Sequence, residues 1–315
     1  MLNRRHLRIK ALQLIYAHFQ SSELDFNKTD KELNISLDRM YDMYVYLLLT
    51  FEQLIRAAEN KISHRKKKFR PSTEDLNPNM RFVDNHVMNQ IYHALILSEI
   101  SQKRKVNWIG AESQEMFRKI FNSILESEAY VLYMGNEESG FEVDRAFVLQ
   151  MFKDSVANSP LLYNYFDEKS IYWMDDLDLC CSMVIKTIKA MKPGENFLPL
   201  PLYKDPADES SFVHDLLRKT ILNNAEYDSL ITELVDNWEI DRIAKMDMVL
   251  LKMGITELLY FQSIPAKVTL NEYIEISKFY STPKSNIFIN GILDKIIEKL
   301  KSEHRMIKIG RGLLD

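Results

Sequence analysis

The chain has 315 residues, 46% of them hydrophobic and 27% charged, which is the composition of a soluble globular protein with one large domain or two ordinary ones. It contains no run of roughly 18 apolar residues, and its N-terminus is too basic and too interrupted for a signal peptide, so we expect a cytoplasmic protein with no membrane partner. The net charge of -4 does not favour a nucleic-acid partner. Charge acts over only about 8–10 Å, however, so the local distribution of the basic residues, and not the net charge, decides whether a surface can bind nucleic acid.

The first predicted helix covers residues 4–20 and carries its basic residues at its N-terminal end. They are Arg4, Arg5, Arg8 and Lys10. The positive end of the helix dipole disfavours cations at this position, where acidic residues would be more natural. This conflict indicates an external anion, and RNA phosphate is the obvious candidate. The alternative is a solvated basic face.

Helical spacing of apolar residues continues through the middle of the chain. It predicts a helix from about Ser36 to Lys68, followed by helices at about 84–102, 112–135 and 141–157. Because the chain also has only 8 glycines and few alternating runs, we predict an all-α fold. The basic run at 64–70 suits the C-terminus of its helix, and binding of RNA is its alternative role. A further basic cluster lies in the tail, at Lys299, Lys301, Arg305, Lys308 and Arg311.

The residues that could hold a metal are few and scattered. Cys180 and Cys181 are adjacent on a predicted helix, where a disulfide would be strained, so we interpret them as buried thiols. His86 and His93 have no acidic or thiol neighbours at ligand spacing. We therefore predict no metal site and no cofactor.

The stretch between residues 193 and 206 is dense in proline and is the best candidate for a joint. Three helices are predicted after it. The first, at about 241–260, is apolar on nearly every side and should lie inside a bundle. The second should begin near Leu270, with Thr269 and Glu272 forming a capping box. The third should begin at Thr282, with Pro283 at its first position.

Residues 152–188 are faintly similar to this later region. Trp173 and Trp238, and Asp176 and Asp241, are each separated by 65 residues. One interpretation is a degenerate duplication of a helical unit, and the other is chance.

Several dense motifs accompany the three predicted helices. They are Trp238, Arg242 and Asp247; LLKMGITELLY at 250–260; Ile264-Pro265-x-Lys267-Val268; Asn271-Glu272-x-Ile274-Glu275-Ile276-x-Lys278; and Ser285-x-x-Phe288-Ile289-Asn290-Gly291-Ile292-Leu293-Asp294-Lys295. Together with the arginine-rich first helix, this pattern resembles the bacterial NusB family of transcription antitermination factors. The resemblance implies a helical bundle enlarged by a second helical domain. Residues 1–20 would supply its first helix, 21–208 a helical insertion and 209–315 the RNA- and partner-binding bundle.

The resemblance also implies ligands and contact residues. Family members bind single-stranded boxA RNA of ribosomal leader transcripts together with the tenth protein of the small ribosomal subunit, within the antitermination complex on RNA polymerase. The implied RNA-binding residues are Arg4, Arg5, Arg8, Lys10, Lys252, Lys284, Phe288 and Asn290. Asp247 matches an acidic position on the face that docks the ribosomal protein. Lys252 and Lys284 depart from the arginine and the acidic residue that many relatives carry there.

Two of the implied contacts have structural alternatives. Phe288 could stack on a base or lie in the core. Asn290 and Gly291 could read RNA or only allow two helices to approach closely.

The sequence contains no nucleotide-binding loop, zinc-protease motif or nucleophile elbow, so enzymatic activity is not expected. Two other functions remain open. A NusB-like domain also precedes some ribosomal-RNA cytosine methyltransferases, but the chain ends too soon after the motif to hold a methyl-donor domain. The second is a protein-only scaffold that has lost RNA binding.

Overall fold

A computed structural model describes residues 3–235 and 243–313. These residues form fifteen α-helices and no β-strand, which confirms the all-α prediction. The helices are α1 Arg4–Gln20, α2 Phe26–Lys66, α3 Thr73–Leu76, α4 His86–Tyr92, α5 Leu95–Arg104, α6 Ala111–Glu126, α7 Glu128–Gly135, α8 Phe141–Met151, α9 Pro160–Lys169, α10 Leu177–Ala190, α11 Pro206–Leu222, α12 Asn224–Leu234, α13 Lys245–Tyr260, α14 Ala266–Tyr280 and α15 Ser285–Ser302. Within these ranges, no helix is both long and apolar enough to cross a membrane.

The chain divides into two compact units. The terminal unit comprises residues up to Leu37 and from Leu202 onward, and the central unit runs from Asp38 to Pro201. One boundary therefore falls inside α2, and the other falls in the proline-dense stretch. The predicted insertion bounds, 21 and 208, stay a prediction.

Helix α13 is the core of the terminal unit. Almost every residue from Asp247 to Leu258 is buried, because α1, α11, α14 and α15 all pack against this helix. This burial confirms the prediction of a helix apolar on nearly all sides. The close approach of α15 depends on Gly254, since a Cβ there would lie 2.9 Å from Leu293 Cδ2. Gly291, in contrast, has open space around its Cα, so the idea that it permits close helix packing is wrong.

Several predicted helix boundaries need correction. The predicted helix at 84–102 is two helices, and so is the one at 112–135, where the Ser127 side chain accepts a hydrogen bond from the Tyr130 N–H and starts α7. The helix predicted from Ser36 begins at Phe26. Helix α15 begins at Ser285, two residues after Pro283. Trp238, Asp241 and Arg242 lie outside the described residues.

The predicted capping box of Thr269 and Glu272 is wrong. Helix α14 already begins at Ala266, directly after Pro265, so Thr269 lies within its first turn. The Thr269 hydroxyl donates to the Glu257 carboxylate at 2.8 Å. Glu272 accepts hydrogen bonds from two arginines. Both side chains therefore bond to residues of other helices instead of forming a local cap.

Aromatic side chains fill part of the core of the central unit. Tyr46, Trp108, Phe166 and Trp173 form edge-to-face and tilted contacts with centroids 4.9–6.1 Å apart. The Trp173 indole also donates to the Arg39 carbonyl at 2.6 Å. These contacts give Trp173 a structural role in the core of the central unit. The duplication suggested for residues 152–188 stays a prediction.

The two cysteines are buried in α10, as predicted. Burial raises the pKa of Cys181 to about 12, so its thiol is protonated at neutral pH.

Candidate nucleic-acid interface

The N-terminus of α1 is fixed by its own residues. The Asn3 side chain accepts a hydrogen bond from the His6 N–H at 3.1 Å, which is the role of a helix N-cap. Arg4 and Arg5 therefore lie in the first turn of the helix and Arg8 in the second. The described first turn contains no acidic residue, as the sequence indicated.

The carboxylates that balance these arginines come from other helices. Arg5 makes two hydrogen bonds to Glu272 of α14, at 2.9 and 2.7 Å. Arg8 makes two to Glu257 of α13, both at 2.7 Å, and a longer one of 3.4 Å to Glu272. Arg4 pairs with Asp208 of α11 at 2.7 Å. Carboxylates of the terminal unit therefore compensate the arginine charges that the α1 dipole disfavours.

The pair of Arg8 and Glu257 is the buried centre of this network. Their side chains are 3% and 0% exposed. The Glu257 carboxylate also accepts from Thr269 and from the Tyr273 hydroxyl, at 2.8 and 3.2 Å. Burial opposes the charge of Arg8, but the charge and hydrogen bonds of Glu257 outweigh it and raise the pKa of Arg8. Arg8 therefore stays charged, and its two hydrogen bonds to Glu257 tie α1 to α13.

Arg4 and Arg5 form the accessible edge of the network. Their side chains are 32% and 44% exposed. The Arg4 guanidinium also lies 4.9 Å from the centre of the Phe212 ring, which restricts its orientation. For Glu272, burial raises the pKa, but the hydrogen bond from Arg5 and the charges of Arg8 and Arg5 outweigh it and lower the pKa. Arg5 thus faces an ionised carboxylate.

A groove of about 890 Å³ runs along this edge, and we call it the arginine groove. Its walls are the starts of α1, α11 and α14, the connection between α13 and α14, and one residue of the C-terminal tail. Its lining residues are Asn3, Arg4, Arg5, Arg8, Asp208, Ser263, Ile264, Pro265, Val268, Glu272 and Arg311.

Lys10 and Lys252, two of the predicted RNA contacts, lie inside the terminal unit. They are only 1% and 7% exposed. Lys252 Nζ lies 2.7 Å from Asp228 Oδ1 and 5.1 Å from the centre of the Phe19 ring. Because both side chains are largely buried in this conformation, a role in RNA binding stays a prediction for both. An RNA-binding role of Arg8 also stays a prediction, because its side chain is buried and paired with Glu257.

The serine motif forms a second patch around the start of α15. Asp247 is buried and accepts hydrogen bonds from the Ser281 and Ser285 hydroxyls, so it fixes the turn between α14 and α15. Lys284, just before α15, is exposed, and Phe288 is half-buried. Phe288 is therefore not a fully buried core residue, although it has neighbours. Asn290 is also half-buried.

The two patches lie at opposite ends of α13. Glu257, which anchors Arg8, and Asp247, which anchors Ser285, are ten residues apart on this helix. At 1.5 Å per residue they are separated by about 15 Å along its axis. The structure therefore groups Arg4, Arg5 and Arg8 in one place, and Lys284, Phe288 and Asn290 in another.

Sequence reasoning missed the acidic half of the arginine groove. Asp208, Glu257 and Glu272 are separated from their arginines by more than 200 residues, so local patterns could not pair them. One signal was present, because Glu257 is an acidic residue on a helix that was expected to be buried on nearly all sides.

The geometry describes an all-helical protein with an arginine-lined groove suited to anionic ligands. The NusB family model matches residues 185–298. Curated relatives named transcription antitermination protein NusB match as well. The protein of Salinibacter ruber is 46% identical over 115 residues, which are 36% of this chain and 71% of the relative. This chain belongs to the NusB family.

Two further relatives carry the same name. The protein of Chloroherpeton thalassium is 37% identical over 131 residues, 42% of this chain and 62% of the relative. That of Listeria monocytogenes is 42% identical over 89 residues, 28% of this chain and 70% of the relative. No solved structure matches this chain significantly. The family match does not include α1 or the residues after 298, so two walls of the arginine groove lie outside it.

Proposed function

We propose that this protein is a transcription antitermination factor, a binding protein and not an enzyme, that acts in ribosomal-RNA synthesis in the cytoplasm. It would bind boxA-like single-stranded RNA together with the tenth protein of the small ribosomal subunit, as part of the antitermination complex on RNA polymerase. The observation that carries the proposal is the arginine groove on a chain of the NusB family.

The exposed contacts in this proposal are Arg4 and Arg5. Their guanidinium groups are accessible and are held by neighbours that leave part of each fork open to solvent. The buried Arg8 would contribute indirectly, by holding Glu272 and α1 in position. At the second patch Lys284 would contribute a charge and Phe288 a stacking surface, with Asn290 beside them. The buried Asp247 would support the partner surface through the turn it fixes.

The proposal is tested by the binding of labelled boxA-type RNA and a scrambled control across a salt series, with and without the ribosomal protein. The variant is Arg4→Ala/Arg5→Ala, because replacing the buried Arg8 would also destabilise the fold. Lys186→Ala/Lys189→Ala is the charge-matched control, since both lysines are exposed on α10 and neither is a groove-lining residue.

We expect boxA-selective binding that increases with the ribosomal protein. The arginine variant should bind more weakly, with a log–log salt slope reduced by up to about 1.4, since each phosphate contact on a single strand contributes about 0.7. Equal, weak binding of both RNAs by the wild type, even with the partner present, would refute the proposal.

The alternative is a scaffold that binds only protein. One observation favours it, namely that Arg4, Arg5 and Arg8 each already have a carboxylate partner. Under this alternative the ribosomal protein would bind equally well with and without RNA, and the arginine variant would bind it like the wild type.

A further inference from the structure

The C-terminal tail after α15 folds back onto the arginine groove. The Ile309 N–H donates to the Gln262 carbonyl at 3.0 Å, just beyond the end of α13. Lys308 Nζ donates to the Phe261 carbonyl at 3.1 Å and lies 3.4 Å from that of Glu257. A cation in this place suits the negative end of the α13 dipole.

Two glycines then determine the path of the tail. Gly310 has φ +53°, a left-handed conformation that turns the chain into a short 3-10 segment. Gly312 lies so close to the α13–α14 connection that a Cβ would be 1.9 Å from the Gln262 carbonyl oxygen. Backbone cannot yield as a side-chain tip can, so any larger residue at 312 must lift the tail. Together these contacts place Arg311 in the wall of the groove.

Arg311 differs from the other three arginines of the groove. Arg4, Arg5 and Arg8 each form an ion pair. Across residues 3–235 and 243–313, no carboxylate pairs with Arg311, and its side chain is exposed. A phosphate can therefore bind Arg311 with no carboxylate beside it, whereas a phosphate at Arg4 or Arg5 must share the guanidinium group with Asp208 or Glu272.

We propose that the tail, anchored by Lys308 and Gly312, supplies Arg311 as the first phosphate-binding residue of the arginine groove for single-stranded RNA. This inference rests on the proposed RNA-binding function. It also gives a role to part of the basic tail, all of which lies beyond the matched family region.

The test uses the full-length protein and a labelled boxA-type oligoribonucleotide, titrated at several salt concentrations. The variants are Arg311→Ala, Gly312→Ala and the double variant. Lys301→Ala is the control, because it removes one exposed positive charge from the same end of the chain outside the groove lining. Limited proteolysis of each variant reports whether the tail has been released.

We expect Arg311→Ala to weaken binding about fivefold at about 0.1 M salt and to reduce the salt slope by about 0.7, the effect of one phosphate contact. Gly312→Ala should release the tail and produce a similar loss. The double variant should be no weaker than the stronger-acting single variant, because both changes remove the same contact. Lys301→Ala should stay within about twofold of the wild type.

Three results would count against the inference, and they differ in what they say about the proposed function. If the wild type binds boxA-type RNA selectively and Arg311→Ala matches it in affinity and slope, the tail has no such role and the proposed function stands. If the wild type binds no RNA, both fail. Additive losses in the double variant would show that Gly312 acts by another route, and the anchoring part of the inference would fail.

Discussion

Replacing Arg8 by methionine tests whether the buried ion pair holds α1 in place. The change removes the charge and keeps an unbranched apolar side chain in place of the arginine stem. It leaves the Glu257 carboxylate, 0% exposed, with only the Thr269 and Tyr273 hydroxyls as donors from the network. Breaking one side of a buried pair typically costs about 3–5 kcal/mol, because an uncompensated charge remains in the interior. We expect a loss of this size in the terminal unit.

The double variant Arg8→Met/Glu257→Gln separates the charge from the packing. Thr269 and Tyr273 contact different oxygens of the carboxylate, so the glutamine carbonyl can accept from one hydroxyl while its amide group donates to the other. The uncompensated charge disappears, and both hydroxyls keep a hydrogen-bond partner. The double variant should therefore be about 2 kcal/mol more stable than Arg8→Met alone. Arg5→Ala is the surface control and should cost no more than about 1 kcal/mol, since Arg5 is substantially exposed.

Native-state hydrogen exchange, read on peptides from α13 and α14, is the suitable assay. The chain contains two compact units, so a single global melting curve would not define one free energy of unfolding. The buried ion pair does not hold α1 in place if Arg8→Met lowers the opening free energy of α13 by less than about 1 kcal/mol. An uncompensated charge is not the cause of the loss if the double variant is no more stable than the single one.

Two matched glycines and one aspartate give further predictions. Gly254→Ala should destabilise the terminal unit by about 1 kcal/mol, because the added Cβ would press on Leu293. Gly291→Ala has open space for its Cβ and should stabilise the unit by about 0.5–1 kcal/mol. Native-state hydrogen exchange in α13 and α15 measures both effects. The backbone N–H of Ser72, chief among several groups, lowers the pKa of Asp75 to about 2. The stabilisation of the α3 cap by the Asp75 carboxylate should therefore be complete above about pH 4 and be lost as the pH falls through 2. Amide chemical shifts measured across this pH range should report the change, and Asp75→Asn should abolish it.

The helices themselves could be predicted from the sequence because apolar spacing is a local property. Helix α1 matches its predicted range, and α13 is buried on nearly all sides as its composition indicated. The local capping pattern of Thr269 and Glu272 failed because a short motif cannot report tertiary competitors. Glu257, twelve residues earlier, takes the Thr269 hydroxyl, and Arg5 and Arg8 take the Glu272 carboxylate.

The candidate site was predictable only in its basic half. Clustering of Arg4, Arg5 and Arg8 on consecutive helical turns follows from the sequence, and so does their conflict with the helix dipole. Their burial and pairing do not, because these depend on which distant acidic residue folds against each of them. The position of Arg311 depends in the same way on the path of the tail.

The pairing also changes how a salt series should be interpreted. An unpaired cation that binds phosphate releases condensed counterions from the RNA with no competing loss. An arginine that leaves Asp208 or Glu272 to bind phosphate exposes a carboxylate, which attracts cations again and offsets part of that release. The measured slope should therefore count mainly unpaired cations such as Arg311, and fall below the number of arginines that contact RNA. A slope that equals the full count of contacts would mean that the carboxylates find new partners in the complex.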